Sequence, residues 1–215
     1  GDGGMLLMND EDLYIKAHKF ADKNYNRFST DPDSLRRIEF LAPNYRMSEL
    51  QGAVALAQLA KLEKICSTQR KYGDMITAGI SGLKGVYPHE VKDGNSSSYW
   101  FYMFRIEPKE AGANRDEFSR ALIAEGIPVQ KGYIPTCVYE YDIFKNKTGY
   151  QGTNAPFDSK YYGRDIEYKK GMCPVAEDIL NTAIKFSLNP FYTEQDISDI
   201  VEAINKVAHY YKKKV

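Results

Sequence analysis

The side chains best suited to chemistry are few. Three cysteines, Cys66, Cys137 and Cys173, and three histidines, His18, His89 and His209, are scattered along 215 residues. No histidine stands at ligand spacing from another histidine or a cysteine, so the sequence offers no metal site. The histidines read as ordinary, partly exposed side chains. An odd number of widely spaced cysteines makes no disulfide framework and suits a reducing, cytoplasmic compartment. Cys137 has no activating neighbour in the sequence and reads as a small buried thiol. Tyr133 reads equally well as a hydrogen-bond partner for a substrate hydroxyl and as a core residue.

These residues need elements to hold them. Met5 to Met8 is an apolar run that reads as a short buried strand. Asn9-Asp10-Glu11-Asp12 supplies an acidic helix start, and the helix is expected from Glu11 to about Lys23. Tyr25 to Pro43 has no period and reads as a loop. Ser48-Glu49-Leu50-Gln51 has the form of a capping box. Leu50, Val54, Ala57 and Leu62 follow near helical spacing, which predicts one long helix from Ser48 to about Ala78. Ser81-Gly82-Leu83-Lys84-Gly85 ends it.

The remainder reads as an α+β unit. Tyr99 to Ile106 suits a central strand, and the stripe Tyr99-Trp100-Phe101-Tyr102 reads as strand core rather than a stacking platform. Asn114-x-x-Glu117 opens a helix that Gly126 ends. Ile127, Val129, Lys131 and Tyr133 alternate as a strand does. Tyr139 to Gly171 reads as a long ordered loop. Cys173-Pro174-Val175-Ala176-Glu177 starts a short helix. Ile184, Phe186 and Leu188 predict an edge or half-buried strand. Thr193-x-x-Asp196 caps a last helix with Ile197, Ile200, Val201, Ile204 and Val207 on its core face.

Lysine plus arginine equals aspartate plus glutamate, 29 each. A chain this neutral gives no bulk reason to expect nucleic acid or an anionic membrane as partner. No apolar run approaches a membrane span. Gly1-Asp2-Gly3-Gly4 runs straight into Met5-Leu6-Leu7-Met8, without an initiating methionine or a signal-peptide pattern. The start therefore reads as an internal position of a longer protein.

Three strings go further: Gly1 to Asp10, Asn44-Tyr45-Arg46-Met47-Ser48-Glu49-Leu50-Gln51-Gly52-Ala53, and Cys173-Pro174-Val175-Ala176-Glu177. In this order they resemble the sugar aminotransferases of the DegT/DnrJ/StrS type, over essentially the whole chain. The resemblance implies an α/β protein with the aspartate-aminotransferase fold (PLP fold type I). Residues 1–84 would be the end of the large, cofactor-binding domain with its linking helix, and residues 85–215 the small C-terminal α+β domain. It implies pyridoxal 5′-phosphate as cofactor, an amino donor such as glutamate or glutamine, and a keto-sugar or keto-cyclitol as acceptor. A homodimer with shared active sites follows from the same likeness.

The cofactor lysine of the family would fall about five residues before Gly1, so no catalytic residue is assigned within the chain and the 215 residues alone should be inactive. Asn44 carries over as a ligand of the cofactor phosphate in the opposite subunit, because its NH2 group is a neutral double donor; by itself it also suits a loop-to-helix turn. Arg46 could meet an anion or form a structural salt bridge. Gly3 and Gly4 would serve backbone geometry beside the cofactor. Tyr133-Ile134-Pro135-Thr136-Cys137 matches a segment bordering the sugar, with Cys137 where a histidine often stands. Two other readings stay open at this point: a sugar dehydratase of the same family, with histidine in place of the cofactor lysine, and a non-catalytic interaction module.

Overall fold

A computed structural model describes residues 3–150, 153–158 and 162–213. The chain divides into two compact units, Gly1–Glu63 and Lys64–Val215.

In the N-terminal unit, helix α1 (Glu11–Ala21) begins where the Asp10 side chain accepts from the Leu13 amide at 2.8 Å. Glu11 and Asp12 occupy its first turn and His18 and Lys19 its last, matching the helix dipole. A short α2 (Pro32–Leu35) interrupts the following loop, with Asp31 as cap. The loop returns to α1: the Tyr45 amide donates to Ala21 O at 2.7 Å, and the Lys23 amide to Pro43 O at 2.9 Å. Helix α3 (Glu49–Leu59) then starts on the expected Ser48–Gln51 capping box.

Two expectations fail here. Met5 to Met8 forms no strand, and Met5, Leu6 and Leu7 are exposed. A strand needs backbone partners, and this unit holds no other strand among its described residues. Leu6 and Met8 instead line an open apolar groove of about 910 Å³ with Leu13, Phe20 and Tyr45. The single long helix is also two. Beyond α3 the backbone tightens, the Lys61 amide bonding to Gln58 O at 2.9 Å, before α4 (Leu62–Ile80) begins. No residue of α3 is buried, whereas α4 buries Tyr72, Ile76 and Ile80 in the C-terminal core. The first compact unit therefore ends at Glu63, close to the start of α4.

After α4 the C-terminal unit contains β1 (Val86–Tyr87), β2 (Phe101–Ile106), α5 (Pro108–Ala111), α6 (Arg115–Ala124) and β3 (Gln130–Lys131). A 3-10 turn at Val138–Glu140, α7 (Asp142–Lys145), α8 (Pro174–Thr182), β4 (Ala183–Ser187) and α9 (Glu194–Lys212) follow. The four strands form an antiparallel sheet in the order β1-β2-β4-β3. Along β2, Tyr102, Phe104 and Ile106 are buried while Phe101, Met103 and Arg105 are half-buried on the other face. The buried row shares one apolar core with Phe118 and Leu122 of α6 and Ile197, Ile204 and Val207 of α9. The Tyr102 hydroxyl meets Thr77 Oγ1 at 2.8 Å, and the Tyr72 hydroxyl donates to Tyr192 O at 2.6 Å.

The last strand is not an edge: β4 pairs with β2 on one side and β3 on the other. The strand expected from Tyr99 starts at Phe101, because Tyr99 adopts a left-handed conformation (φ 46°). Its ring lies so close over Gly73 that a Cβ there would sit 2.6 Å from it. The aromatic stripe also divides, since Trp100 is exposed. The alternation through Tyr133 shortens to Gln130–Lys131, because Gly132 turns out of the ladder at φ 64°. The expected loop from Tyr139 contains α7; its residues 151–152 and 159–161 lie outside the described residues, as do Gly1, Asp2 and residues 214–215.

Candidate functional site

Asn44 sits in the N-terminal unit, four residues before the capping box, in an isolated antiparallel bridge with Asp22. Its Oδ1 accepts from Arg46 Nε at 3.1 Å and from the Arg46 amide at 3.4 Å. A guanidinium has only donors, so the atom facing it must be the oxygen, and this fixes the amide's orientation. The Nδ2 group is left with no hydrogen bond among the described residues, on an exposed side chain. Arg46 Nε is in turn 3.0 Å from the buried Oδ1 of Asp22, close enough for an ion pair but without hydrogen-bond alignment.

Asp22 holds the arrangement together. Its Oδ2 accepts from Arg27 Nε at 2.7 Å. That bond, foremost, with the charges of Arg27, Arg46 and His18, keeps its carboxyl below the usual 3.8 against the opposing effect of burial. Gly3 lies beside the same string: a Cβ added to it would sit 2.8 Å from Met47 Cε. Gly4 has open space instead. Gly3, Asn44 and Arg46 are thus brought together within one unit, while Tyr133 and Cys137 belong to the other.

In the C-terminal unit the two candidates separate by burial. Cys137 is 5% exposed and fits the small buried thiol, whereas Tyr133 is 51% exposed and is not a core residue. The Tyr133 ring stacks on Phe101 at 5.4 Å and 21°. Near Cys137, the Tyr139 hydroxyl donates to Glu177 Oε1, which also accepts from the Gly171 amide. The Tyr139 hydrogen bond, then that of Gly171, holds the Glu177 carboxyl below its usual range. Burial first, and then Glu177 and Cys137, push the Tyr139 hydroxyl up. The string ending at Glu177 is therefore a structural clasp on the loop before α8. Asp22 escaped the sequence reading because no local pattern marks it, and Glu177 was read only as part of its string, its partners Tyr139 and Gly171 lying outside that string.

The sequence matches the DegT/DnrJ/EryC1/StrS aminotransferase family over residues 1–159. The chain belongs to this family. It is 24% identical over 215 residues to the spore coat polysaccharide biosynthesis protein SpsC of Bacillus subtilis, covering 96% of this chain and 50% of that protein. It is 24% identical over 179 residues to the GDP-perosamine synthase of Vibrio cholerae, covering 80% of this chain and 45% of that one. Among solved structures, S. venezuelae DesV superposes with a TM-score of 0.71 at 17% identity, over 94% of this chain and 46% of that chain. The fold is thus that of the PLP-dependent DegT/DnrJ aminotransferases, and the chain spans about half the length of the relatives it matches.

Pyridoxal phosphate is the cofactor of this DegT/DnrJ family. Asn44 fits its phosphate group on the geometry above. A side-chain amide whose oxygen is already engaged presents its NH2 donors outward, and an anion accepts from them. Gly3 keeps the neighbouring backbone free of a side chain that would press on Met47. Among the described residues, no helix is long and apolar enough to cross a membrane.

Proposed function

We propose that this chain is part of a longer aminotransferase that moves an amino group from glutamate or glutamine to a keto-sugar, nucleotide-linked or cyclitol, in a homodimer with shared active sites. Residues 1–84 supply the end of the cofactor-binding domain and residues 85–215 the small domain. When bound, pyridoxal phosphate supplies an electron sink for the reacting carbon. Asn44 donates through Nδ2 to the cofactor phosphate of the partner subunit, and Arg46 and Asp22 hold that amide in register. Gly3 and Gly4 keep the backbone beside it free of side chains. Tyr133, exposed on the small domain, offers its hydroxyl to the sugar, and Cys137 packs beneath the adjoining loop. No residue of this chain is assigned the proton transfer, so the 215 residues incubated with pyridoxal phosphate, glutamate and keto-sugars should release no 2-oxoglutarate above a blank.

The observation that carries this reading is the Asn44 amide, with its oxygen tied to Arg46 and its donors open. The test is Asn44→Ala in the full-length protein, with cofactor affinity read by absorbance titration and the dimer checked by size-exclusion chromatography. Losing one charge-assisted hydrogen bond costs about 1.5–3 kcal/mol, or roughly ten- to a hundredfold in affinity. Asn44→Asp sets a carboxylate against a phosphate and should weaken binding further. A wild-type affinity in Asn44→Asp would sink the assignment.

A further inference from the structure

Two of the three cysteines flank the Tyr139–Glu177 clasp. Cys137 immediately precedes the 3-10 turn Val138–Glu140, and its carbonyl accepts from the Glu140 amide at 2.8 Å. Cys173 is the N-cap residue of α8, and its carbonyl accepts from the Glu177 amide at 3.0 Å. Side chains join the two turns. The Tyr139 hydroxyl donates to Glu177 Oε1, and the same hydroxyl faces the Cys137 thiol and the Cys173 main chain. Two cysteines 36 positions apart in the sequence thus lie against one phenolic oxygen. Two contacts of hydrogen-bond length bound the gap between the Cys137 sulfur and the Cys173 backbone at about 7 Å. A disulfide needs Cα atoms within about 7 Å of each other, so the bond can close when Tyr139 swings aside and the Cys173 turn moves inward.

The two thiols differ in access. Cys137 is buried, whereas Cys173 is exposed and its side chain makes no cap hydrogen bond to α8. Neither is bonded to another cysteine, and Cys66 lies apart on α4. An oxidant therefore meets Cys173 first, and the sheltered Cys137 stands behind it as the resolving thiol.

We propose that Cys137 and Cys173 form a peroxide-responsive dithiol, in which a disulfide takes the place of the Tyr139 hydroxyl as the link between the two turns. The Cys173 sulfur attacks one oxygen of hydrogen peroxide and the O–O bond breaks. Cys173 becomes a sulfenic acid, and the other oxygen leaves as water with the thiol proton. The Cys137 sulfur then attacks the Cys173 sulfur and the S–O bond breaks. The departing hydroxyl takes the Cys137 proton and leaves as a second water. Two thiols lose two electrons in all, and the peroxide gains them. A reducing compartment keeps the pair open and the hydroxyl clasp in place.

A peptide map of the 215-residue chain tests this. The folded, reduced chain is treated with a small excess of hydrogen peroxide, alkylated with iodoacetamide and digested with trypsin without reduction. The expected product is residues 132–145 linked to residues 171–185, lighter by two hydrogens than the free peptides and separated by dithiothreitol. Residues 65–70, which carry Cys66, should be recovered alkylated. Tyr139→Phe removes the hydroxyl between the two cysteines and should form the same link several-fold faster. Cys137→Ser removes the resolving thiol and should let Cys173 proceed to the sulfinic acid. Circular dichroism establishes that each variant is folded, and Cys137→Ala replaces Cys137→Ser if that one is not; the map of the unaltered chain needs no variant. Oxidised Cys173 beside a Cys137 that still alkylates overturns the proposal, as does a link through Cys66 or between two chains. A 137–173 link that forms only in urea does the same. Closure no faster in Tyr139→Phe overturns the exchange of hydroxyl for disulfide.

Discussion

Asp22 is 3% exposed, and both its oxygens face arginines, Oδ2 toward Arg27 and Oδ1 toward Arg46. Its carboxyl is held below the usual 3.8, first by the Arg27 hydrogen bond. A depressed folded value means that the contribution to stability is present above the usual value and is lost as pH falls through the depressed one. Acid unfolding of the N-terminal unit should therefore include a step, below pH 3.8, that Asp22→Asn lacks. At neutral pH the same variant should be about 1 kcal/mol less stable, a modest figure because both arginines are substantially exposed. Equal acid midpoints and equal neutral stability would show that the pair does not organise the site. If it does, Asp22→Asn should also weaken cofactor binding in the full-length protein, by less than Asn44→Ala, because it acts only through Arg46.

At the level of elements, two glycines in one turn separate backbone strain from crowding. Gly82 and Gly85 both have positive φ, 85° and 75°. A Cβ on Gly82 would meet nothing within 4 Å, whereas one on Gly85 would lie 2.3 Å from the Ala111 amide nitrogen. Gly82→Ala should cost only the left-handed conformation, about 1 kcal/mol. Gly85→Ala adds overpacking against backbone that cannot turn aside, about 1–3 kcal/mol more, and should also disturb the Glu107 amide bond to Gly85 O at 2.9 Å. Chemical denaturation of the two variants measures the difference, and equal losses would mean that β1 and α5 separate freely. The caps are a second element-scale test. Thr193→Ala removes the capping box of α9 and should cost about 1 kcal/mol by the same measurement.

Across the whole molecule, apolar surface is unevenly spent. The C-terminal unit closes its core over α4, α6 and α9, whereas α3 leaves Leu50, Val54, Leu56 and Leu59 exposed, Leu50 by 82%. No residue of α3 is buried, so these side chains add nothing to a core of this chain. Leu50→Glu and Leu56→Glu in the 215-residue chain should change its stability by no more than about 0.5 kcal/mol. Both should reduce the binding of an apolar dye such as ANS. A large loss of stability would place these leucines in a core of this chain.

The parts legible in the sequence were those whose information is local. Three capping boxes, at Ser48, Asn114 and Thr193, each bring their own donors and acceptors within three residues, and all three start a helix where expected. The 3.6-residue period of Ile197, Ile200, Ile204 and Val207 likewise needs only the helix itself to place one face inward. The family was legible because its motifs are short, contiguous strings. What depended on distant partners was not. Met5 to Met8 read as a strand and found no strand to pair with; β4 read as an edge or half-buried strand, and the sheet gave it neighbours on both sides. The helix from Ser48 broke at Ala60, because its two halves belong to different compact units, which no periodicity records. The Asn44 amide was named from its motif, but the direction of its donors came from the bond to Arg46, two residues on, whose guanidinium pairs with Asp22, a residue that only chain folding brings beside it. Phe101 and Tyr133, 32 residues apart, were brought together only when β4 was inserted between β2 and β3. Pairing order in a sheet is decided by the fit of whole surfaces, so it stays hidden until the surfaces meet.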